Sequence, residues 1–256
     1  MKNLTGKICL LVAAAIFLVA CNTPAGNSSA GVEQTQSKLV KVDGDQPTYL
    51  LPSPITDGKV SVESTFANRR SQRYYMDQSI SAEQLGQILW AAYGVTSPQP
   101  DRPTTRGGFR TPPSAGGRYP LELHAVIGKV DGIEPGVYRY ISEEHKIVRT
   151  IDRDIREELC TIALGQTFVK EAPVTIFYSG IFERTTERYN ERGLRYVWID
   201  LGHSAENLLL QVEALGLGAC VIGSFYDDQA TALMMLPEGE TPMYIVPLGH
   251  KRAQDQ

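Results

Sequence analysis

Apolar residues recur along this chain at two spacings, and segments of the two kinds alternate. In SAEQLGQILWAAYG, Leu85, Ile88, Leu89 and Ala92 fall on one face of a 3.6-residue repeat. Ser81 with Gln84 three residues on makes a capping-box start, and Gly94 is a stop signal. Residues 121–130 (LELHAVIGKV) predict a strand, and GVYRY (136–140) with KIVRT (146–150) predict a hairpin. Residues 152–164 predict a helix and VTIFY (174–178) a buried strand. The longest pattern starts at Tyr196, where Val197, Leu201, Ser204, Ala205, Leu208, Val212 and Leu215 keep helical spacing. Ile199, Leu209 and Leu210 place apolar groups on other faces, as in a helix buried in a large core or at a subunit interface. ACVIG (219–223) then predicts a short strand, Asp227 or Asp228 caps a helix through Met235, and MYIVPL (243–248) closes as a strand. Helices alternating with strands, plus one hairpin, predict a layered α/β or α+β domain. Residues 96–119 are rich in Pro, Gly and Arg and carry no pattern; a loop that long inside a domain usually has a function.

The amino-terminal pattern is of another kind. Lys2 and Lys7 precede an unbroken apolar run from Ile8 to Ala20. As a helix the run spans about 20 Å, short of the roughly 30 Å hydrocarbon core of a bilayer. It ends in Leu18-Val19-Ala20-Cys21, which resembles a bacterial lipobox. The expectation is a signal peptide over residues 1–20 and lipidation at Cys21, with more than one acyl chain anchoring the protein to a membrane. Residues 21–60 then read as a lipidated cysteine and flexible tether, and residues 61–256 as the domain. That address implies the bacterial cell envelope, on its extracytoplasmic side.

Charge narrows the partners. The whole chain carries 25 basic and 29 acidic side chains, net -4; removing residues 1–20, which hold two lysines and no acid, makes it -6. That balance excludes the basic footprint of a nucleic-acid binder. Cys160 and Cys220 sit in apolar contexts and read as buried thiols, with a bridge left open by the export signal. No cysteine or histidine spacing suits a metal.

Several signatures of chemistry fail. GLGACV (216–221) lacks the third glycine of a dinucleotide fingerprint and follows a helix. GHSAE (202–206) lacks the last glycine of a nucleophile elbow. No GKS or GKT supports a Walker loop, and His124, His145, His203 and His250 are scattered. What remains is an ordered combination: RRSQR (69–73), PSAGGRYP (113–120), LGLGACVIG (215–223) and PLGHKR (247–252).

This combination resembles the FMN-dependent nitroreductase family over residues 68–252. The resemblance implies an α+β layered fold, a central, mostly antiparallel sheet flanked by helices, built as an intertwined homodimer with FMN at the subunit interface. By the same resemblance Arg69 and Ser71 contact the phosphate and ribityl chain, and Arg73 the pyrimidine edge. Arg70 lies between them in the cofactor-binding segment. Pro113, Ser114, Ala115, Gly116 and Gly117 run against the ring or ribityl chain, some of them across the dimer. Ile222, Gly223 and Ser224 bring backbone N–H toward flavin N5, and Lys251 or Arg252 completes the phosphate clamp. The chemistry fits: guanidinium forks hold phosphate oxygens bidentately, and a cation beside the pyrimidine edge favours reduced flavin.

Within the family, PSAGGRYPLELHAV, GVYRY and RYNERGLRYVWIDLGHSAENLLL resemble the SagB-type dehydrogenases, which oxidise thiazolines and oxazolines. There a Lys-Tyr pair supplies acid/base chemistry; the matching positions here are Arg188 and Tyr189. Arginine does not deprotonate, so Arg188 orients a substrate or stabilises an anion instead. The implied activity is hydride transfer between flavin N5 and a small organic or peptide-derived substrate. NAD(P)H is the donor in a reductase; outside the cytoplasm, oxygen or a membrane electron carrier is the second partner of an oxidase. Two alternatives stay open from sequence alone: a non-catalytic flavin- or ligand-binding lipoprotein, and a lipoprotein whose arginine cluster is a solvated face.

Overall fold

The computed structural model describes residues 37–42 and 44–252; the expected signal peptide and Cys21 lie outside them. In chain order the elements are β1 (Val40–Val42), β2 (Thr48–Leu50), α1 (Val62–Asn68), α2 (Ala82–Tyr93), β3 (Val95–Pro98), β4 (Gly108–Arg110), β5 (Leu121–Ile127), β6 (Gly136–Ile141) and β7 (Lys146–Ile151). They continue with α3 (Arg156–Ile162), α4 (Phe168–Glu171), β8 (Val174–Gly180), α5 (Glu183–Tyr189), α6 (Arg192–Ala214), β9 (Leu217–Ala219), α7 (Asp227–Leu233) and β10 (Thr241–His250). Eight strands form one sheet in the order β1-β2-β7-β6-β5-β8-β10-β9, and every neighbouring pair is antiparallel. The class is therefore α+β.

The central strands β5 and β8 are buried at every residue, because both faces of the sheet are covered. Leu121, Leu123, Ala125 and Ile127 of β5, with Val174, Ile176 and Tyr178 of β8, pack with α2 and α6 in one core. Val126 and Phe177, from the alternate positions, pack with α3, α4 and α7 in a second. This is the two-residue alternation of a strand read on both faces. In β10 a register shift between Pro242 and Tyr244 lets Met243 share the first core with Val246 and Leu248 despite the odd spacing.

The expected capping box is present. Ser81 Oγ accepts from Gln84 N–H at 3.2 Å, and Gln84 Oε1 accepts from Ser81 N–H at 3.0 Å, an arrangement that stabilises a helix start by about 1 kcal/mol. The tether reading of residues 21–60 does not hold for residues 40–51. Strand β1 pairs with β2, β2 pairs with β7, and Tyr49 and Leu51 are buried. Tyr49 packs edge-on against Tyr138 with ring centroids 5.8 Å apart, so residues 40–51 are part of the sheet domain. The unpatterned 96–119 segment holds the small β3–β4 sheet and two 3-10 turns, Pro103–Thr105 and Ala115–Gly117. The expected strand at 219–223 sits two residues earlier, in β9, followed by a single bridge between Ile222 and Ile245.

Helix α6 joins everything that follows. Val197, Leu201, Ser204, Ala205, Leu208 and Val212 face the core as the spacing predicts. On its outer side Leu194, Trp198 and Ile199 are each about half exposed.

Candidate cofactor site

Three of the four sequence motifs meet at one edge of the sheet. After α1 the chain leaves helical geometry at Arg69 and runs along β9 and the end of β10. Ser71 bridges Ala219, Gln72 N–H donates to Ala219 O at 2.9 Å, and Tyr75 bridges Lys251. Met76 N–H donates to His250 O at 2.9 Å, and Arg252 N–H to Tyr74 O at 3.2 Å. The buried Tyr75 hydroxyl lies 2.7 Å from Gln72 O and 2.9 Å from Pro247 O, tying segment and sheet together. Gly218 permits the approach, since a Cβ there would lie 2.6 Å from Gln72 Cγ.

The charges on this edge are unevenly partnered. Arg69 reaches Glu206 at only 4.0 Å, and Arg70 donates to the backbone oxygens of Ala67 and of Arg69 itself. Arg73 lies over the Phe168 ring at 5.9 Å, and Arg252 over Tyr74 at 5.7 Å. Among the described residues Arg70, Arg73 and Arg252 have no acidic partner. Lys251 differs: its ammonium sits 2.7 and 2.8 Å from the two carboxylate oxygens of Glu213. Cys220 is buried beside this segment, where burial pushes its thiol up and the charge of Arg73 partly offsets that. Ile222 exchanges backbone hydrogen bonds with Ile245 at 2.8 and 3.0 Å, while Gly223 and Ser224 after it are exposed.

The fourth motif lies elsewhere, against the first half of α6. Ser114 Oγ donates to Asp200 Oδ2 at 2.5 Å, and Ala115 N–H approaches Asp200 Oδ1 at 3.4 Å. Ser114 Oγ also accepts from Tyr119 N–H at 2.9 Å. Gly116 has φ +62° and abuts Tyr189, whose ring stands edge-on to Tyr196 at 5.1 Å. Pro113 is exposed, and Gly117, at φ +65°, ends the turn. Arg188 lies 5.4 Å from the centroid of the Tyr189 ring, with its side chain exposed. Arg118 fixes the turn to α5 through Arg184 O at 2.7 Å and Glu187 at 3.1 Å.

Asp200 touches the turn, whereas Glu206 touches Arg69 and Glu213 touches Lys251. Those contacts are roughly 9 and 20 Å further along the axis of α6. No hydrogen bond or ion pair joins the two clusters among the described residues.

A buried polar network lies on the face of β5 and β8 that bears Val126 and Phe177. Glu122 meets Arg106 at 2.9 Å, Arg139 at 3.1 Å and Arg184 at 2.6 Å. Burial pushes its carboxyl up, but the three guanidiniums outweigh that and hold it low. Ser179, His124 and Glu240 form a neighbouring trio that superficially suggests a hydrolase. Ser179 Oγ and Glu240 Oε1 both lie on the same ring nitrogen, His124 Nε2, at 3.1 and 3.0 Å, and Nδ1 has no partner. A nucleophile relay needs its partners on opposite nitrogens and an accessible serine, whereas Ser179 is fully buried.

The sequence reading missed Asp200. Its signal was present: an acid between Val197, Leu201 and Ser204 on the apolar stripe of a helix.

The nitroreductase family model matches residues 66–250, from the arginine segment to the end of β10. The chain belongs to the nitroreductase family. A Methanocaldococcus jannaschii protein described as a nitroreductase, MJ1384, is 39% identical over 193 residues, covering 75% of this chain and 92% of that protein. The trifolitoxin-processing protein TfxB of Rhizobium leguminosarum bv. trifolii is 27% identical over 195 residues, 72% of this chain but only 51% of TfxB. Among solved structures, a Ralstonia eutropha JMP134 protein described as a nitroreductase has TM-score 0.67 at 27% identity, covering 85% of this chain and 100% of that one. Family membership makes the chain an oxidoreductase by class and agrees with the helix-flanked antiparallel sheet.

Proposed function

We propose that this chain is an FMN-dependent oxidoreductase that works as a homodimer, each site being completed across the subunit interface. The observation that carries the reading is the arginine segment: Arg69, Arg70 and Arg73 lie within five residues, and among the described residues only Arg69 reaches an acid, at 4.0 Å. Guanidiniums gathered without counter-charge repel one another unless an anion completes the group. A phosphate monoester, near two negative charges at neutral pH, has the charge and geometry to do so. Family membership supports the same cofactor.

When bound, the flavin supplies hydride exchange at N5. Arg69 and Ser71 bind its phosphate and ribityl end, and Arg73 stabilises negative charge at the pyrimidine edge. Exposed Gly223 and Ser224, following the pinned Ile222, offer backbone N–H to the ring. Lys251 is committed to Glu213, so the carboxy-terminal contribution to the phosphate falls to Arg252. Pro113–Gly117 and Tyr189 come from the other subunit, which reconciles the two clusters separated along α6. The half-exposed Leu194, Trp198 and Ile199 supply apolar contact for that assembly.

Tyr189 holds the exchangeable proton near the substrate, and Arg188 orients an anionic or polar group. The name of TfxB supports a peptide-derived substrate, as in the SagB-type branch. Arg188 in the lysine position argues against azoline oxidation by a lysine base. NAD(P)H is the electron donor in the reductive direction. The lipobox resemblance at Cys21 supports a lipid anchor at the cell envelope, where oxygen or a membrane electron carrier takes its place.

FMN titration of Arg69→Ala and Arg73→Ala tests the assignment. Both variants lose affinity by about tenfold or more, in keeping with loss of a charge-assisted hydrogen bond. Unchanged affinity in both would remove the phosphate role.

A further inference from the structure

Three carboxylates among the described residues are buried to 5% exposure or less: Glu122, Glu240 and Asp200. The first two lie against guanidiniums, Glu122 against three arginines and Glu240 against Arg139, with a further contact to His124 Nε2. Asp200 does not. It has no lysine or arginine partner among the described residues, and burial pushes its carboxyl up, offset in part by Ser114, Ala115 and the charge of exposed His203.

Folding alone does not account for an acid at this position. Its neighbours on the helix face are Val197, Leu201 and Ser204, and an apolar side chain would continue their packing without the desolvation cost of a charge. What the carboxylate does is grip the turn. Oδ2 accepts from Ser114 Oγ at 2.5 Å and Oδ1 from Ala115 N–H at 3.4 Å. Ser114 in turn receives Tyr119 N–H on its hydroxyl and Gly117 N–H on its carbonyl, at 2.9 and 3.0 Å. Those bonds set the 3-10 turn in which Gly116 takes φ +62° and meets the Tyr189 hydroxyl. One side chain on a long helix thus fixes both the glycine turn and the place of the tyrosine.

We propose that Asp200 is the positioning residue of the site, a buried uncompensated carboxylate that preforms the Ser114–Gly117 turn for the cofactor and for Tyr189. The cofactor part of this inference rests on the FMN reading above; the preformed turn does not. Preorganisation of this kind raises affinity by removing the ordering cost at the moment of binding. No covalent or redox step is assigned to Asp200.

The test combines FMN titration with residue-resolved amide exchange on the purified chain and its Asp200→Asn, Ser114→Ala, Ser114→Thr and Asp200→Asn/Ser114→Ala variants. Asparagine keeps the shape but has a single acceptor oxygen, so its NH2 opposes either Ser114 Oγ–H or Ala115 N–H. We expect Asp200→Asn and Ser114→Ala each to weaken FMN binding about tenfold and to raise exchange at Ala115 and Tyr119 about tenfold, with the core amides of α6 unchanged. Ser114→Thr, which keeps the hydroxyl, restores both readouts, and the double variant is no weaker than either single one. A merely structural role would instead raise exchange throughout α6 and give no threonine rescue. Wild-type affinity and wild-type exchange in Asp200→Asn overturn the proposal, as does full additivity in the double variant. If Asp200→Asn does not fold, Ser114→Ala and Ser114→Thr decide the same question from the turn side. If the wild-type chain takes up no FMN, the cofactor reading falls, and exchange at Ala115 and Tyr119 still decides whether Asp200 forms the turn.

Discussion

The hydroxyl of Tyr189 occupies the space that a side chain at Gly116 would need. A Cβ at residue 116 would lie 2.5 Å from the tyrosine oxygen, and the backbone there has φ +62°. Gly116→Ala therefore strains the backbone by about 1 kcal/mol and also displaces Tyr189. Gly216, at φ +73° with open space around its missing Cβ, carries the backbone cost alone. Both alanine variants should lower the thermal midpoint, Gly116→Ala by at least as much as Gly216→Ala, while only Gly116→Ala reduces turnover about tenfold or more. Equal turnover in the two would separate Tyr189 from the chemistry.

Lys251 belongs to the scaffold through its two contacts with Glu213. Lys251→Ala leaves a partly buried glutamate unpaired and should cost about 1 kcal/mol in denaturant unfolding, while FMN affinity stays within about twofold of wild type. A tenfold loss of affinity would return Lys251 to the phosphate clamp.

Glu240 gives the fold an acid-sensitive element. Burial pushes its carboxyl up, but hydrogen bonds from His124 and Ser179 and the charges of His124 and Arg139 outweigh that, holding it at about 2 against an ordinary 4.5. A depressed carboxyl contributes stability that is complete above its unfolded value and disappears as pH falls through its folded value. Its contribution, on the order of 3 kcal/mol, is therefore lost between about pH 4.5 and 2. In Glu240→Gln, unfolding free energy at neutral pH should fall and its pH slope in that window should flatten. An unaltered slope would show that other carboxylates govern acid unfolding.

The proposed dimer uses the outer face of α6. Trp198→Glu with Ile199→Glu puts charge on an exposed apolar stripe whose one ring contact among the described residues is Trp198 against the partly buried Phe182, at 5.7 Å, so the fold should survive while the dimer dissociates in sedimentation. FMN should be lost with it. A charged variant that stays dimeric with its flavin would place the interface elsewhere.

Much of the sheet was legible in the sequence because strands buried on both faces read as apolar runs and hairpin turns have their own chemistry. Helix α2 announced itself through Ser81 and Gln84, and the core of α6 through its spacing. Its start did not: residues 192–195 (RGLR) are mostly polar, so the apolar period begins a turn late. Helix α5 (ERTTERY) and helix α1 (VESTFAN) carry too few apolar positions to show a period at all. Strands β1 and β2, three residues each, are too short to show a period, and the pairing of β1 with β2 and of β2 with β7 reveals them. For the site, the arginine and glycine motifs were visible as a resemblance. The engagement of Lys251 by Glu213 and of Ser114 by Asp200 was not, because sequence does not show which acid a folded chain buries beside which donor.

The central claim, that the arginine segment holds FMN, meets its most direct test in the visible absorbance spectrum of the chain purified without added cofactor and then incubated with FMN. The account predicts the flavin bands in the protein fraction, at up to one FMN per subunit, with changed fluorescence relative to free FMN. A colourless protein that stays colourless after incubation and desalting would contradict it.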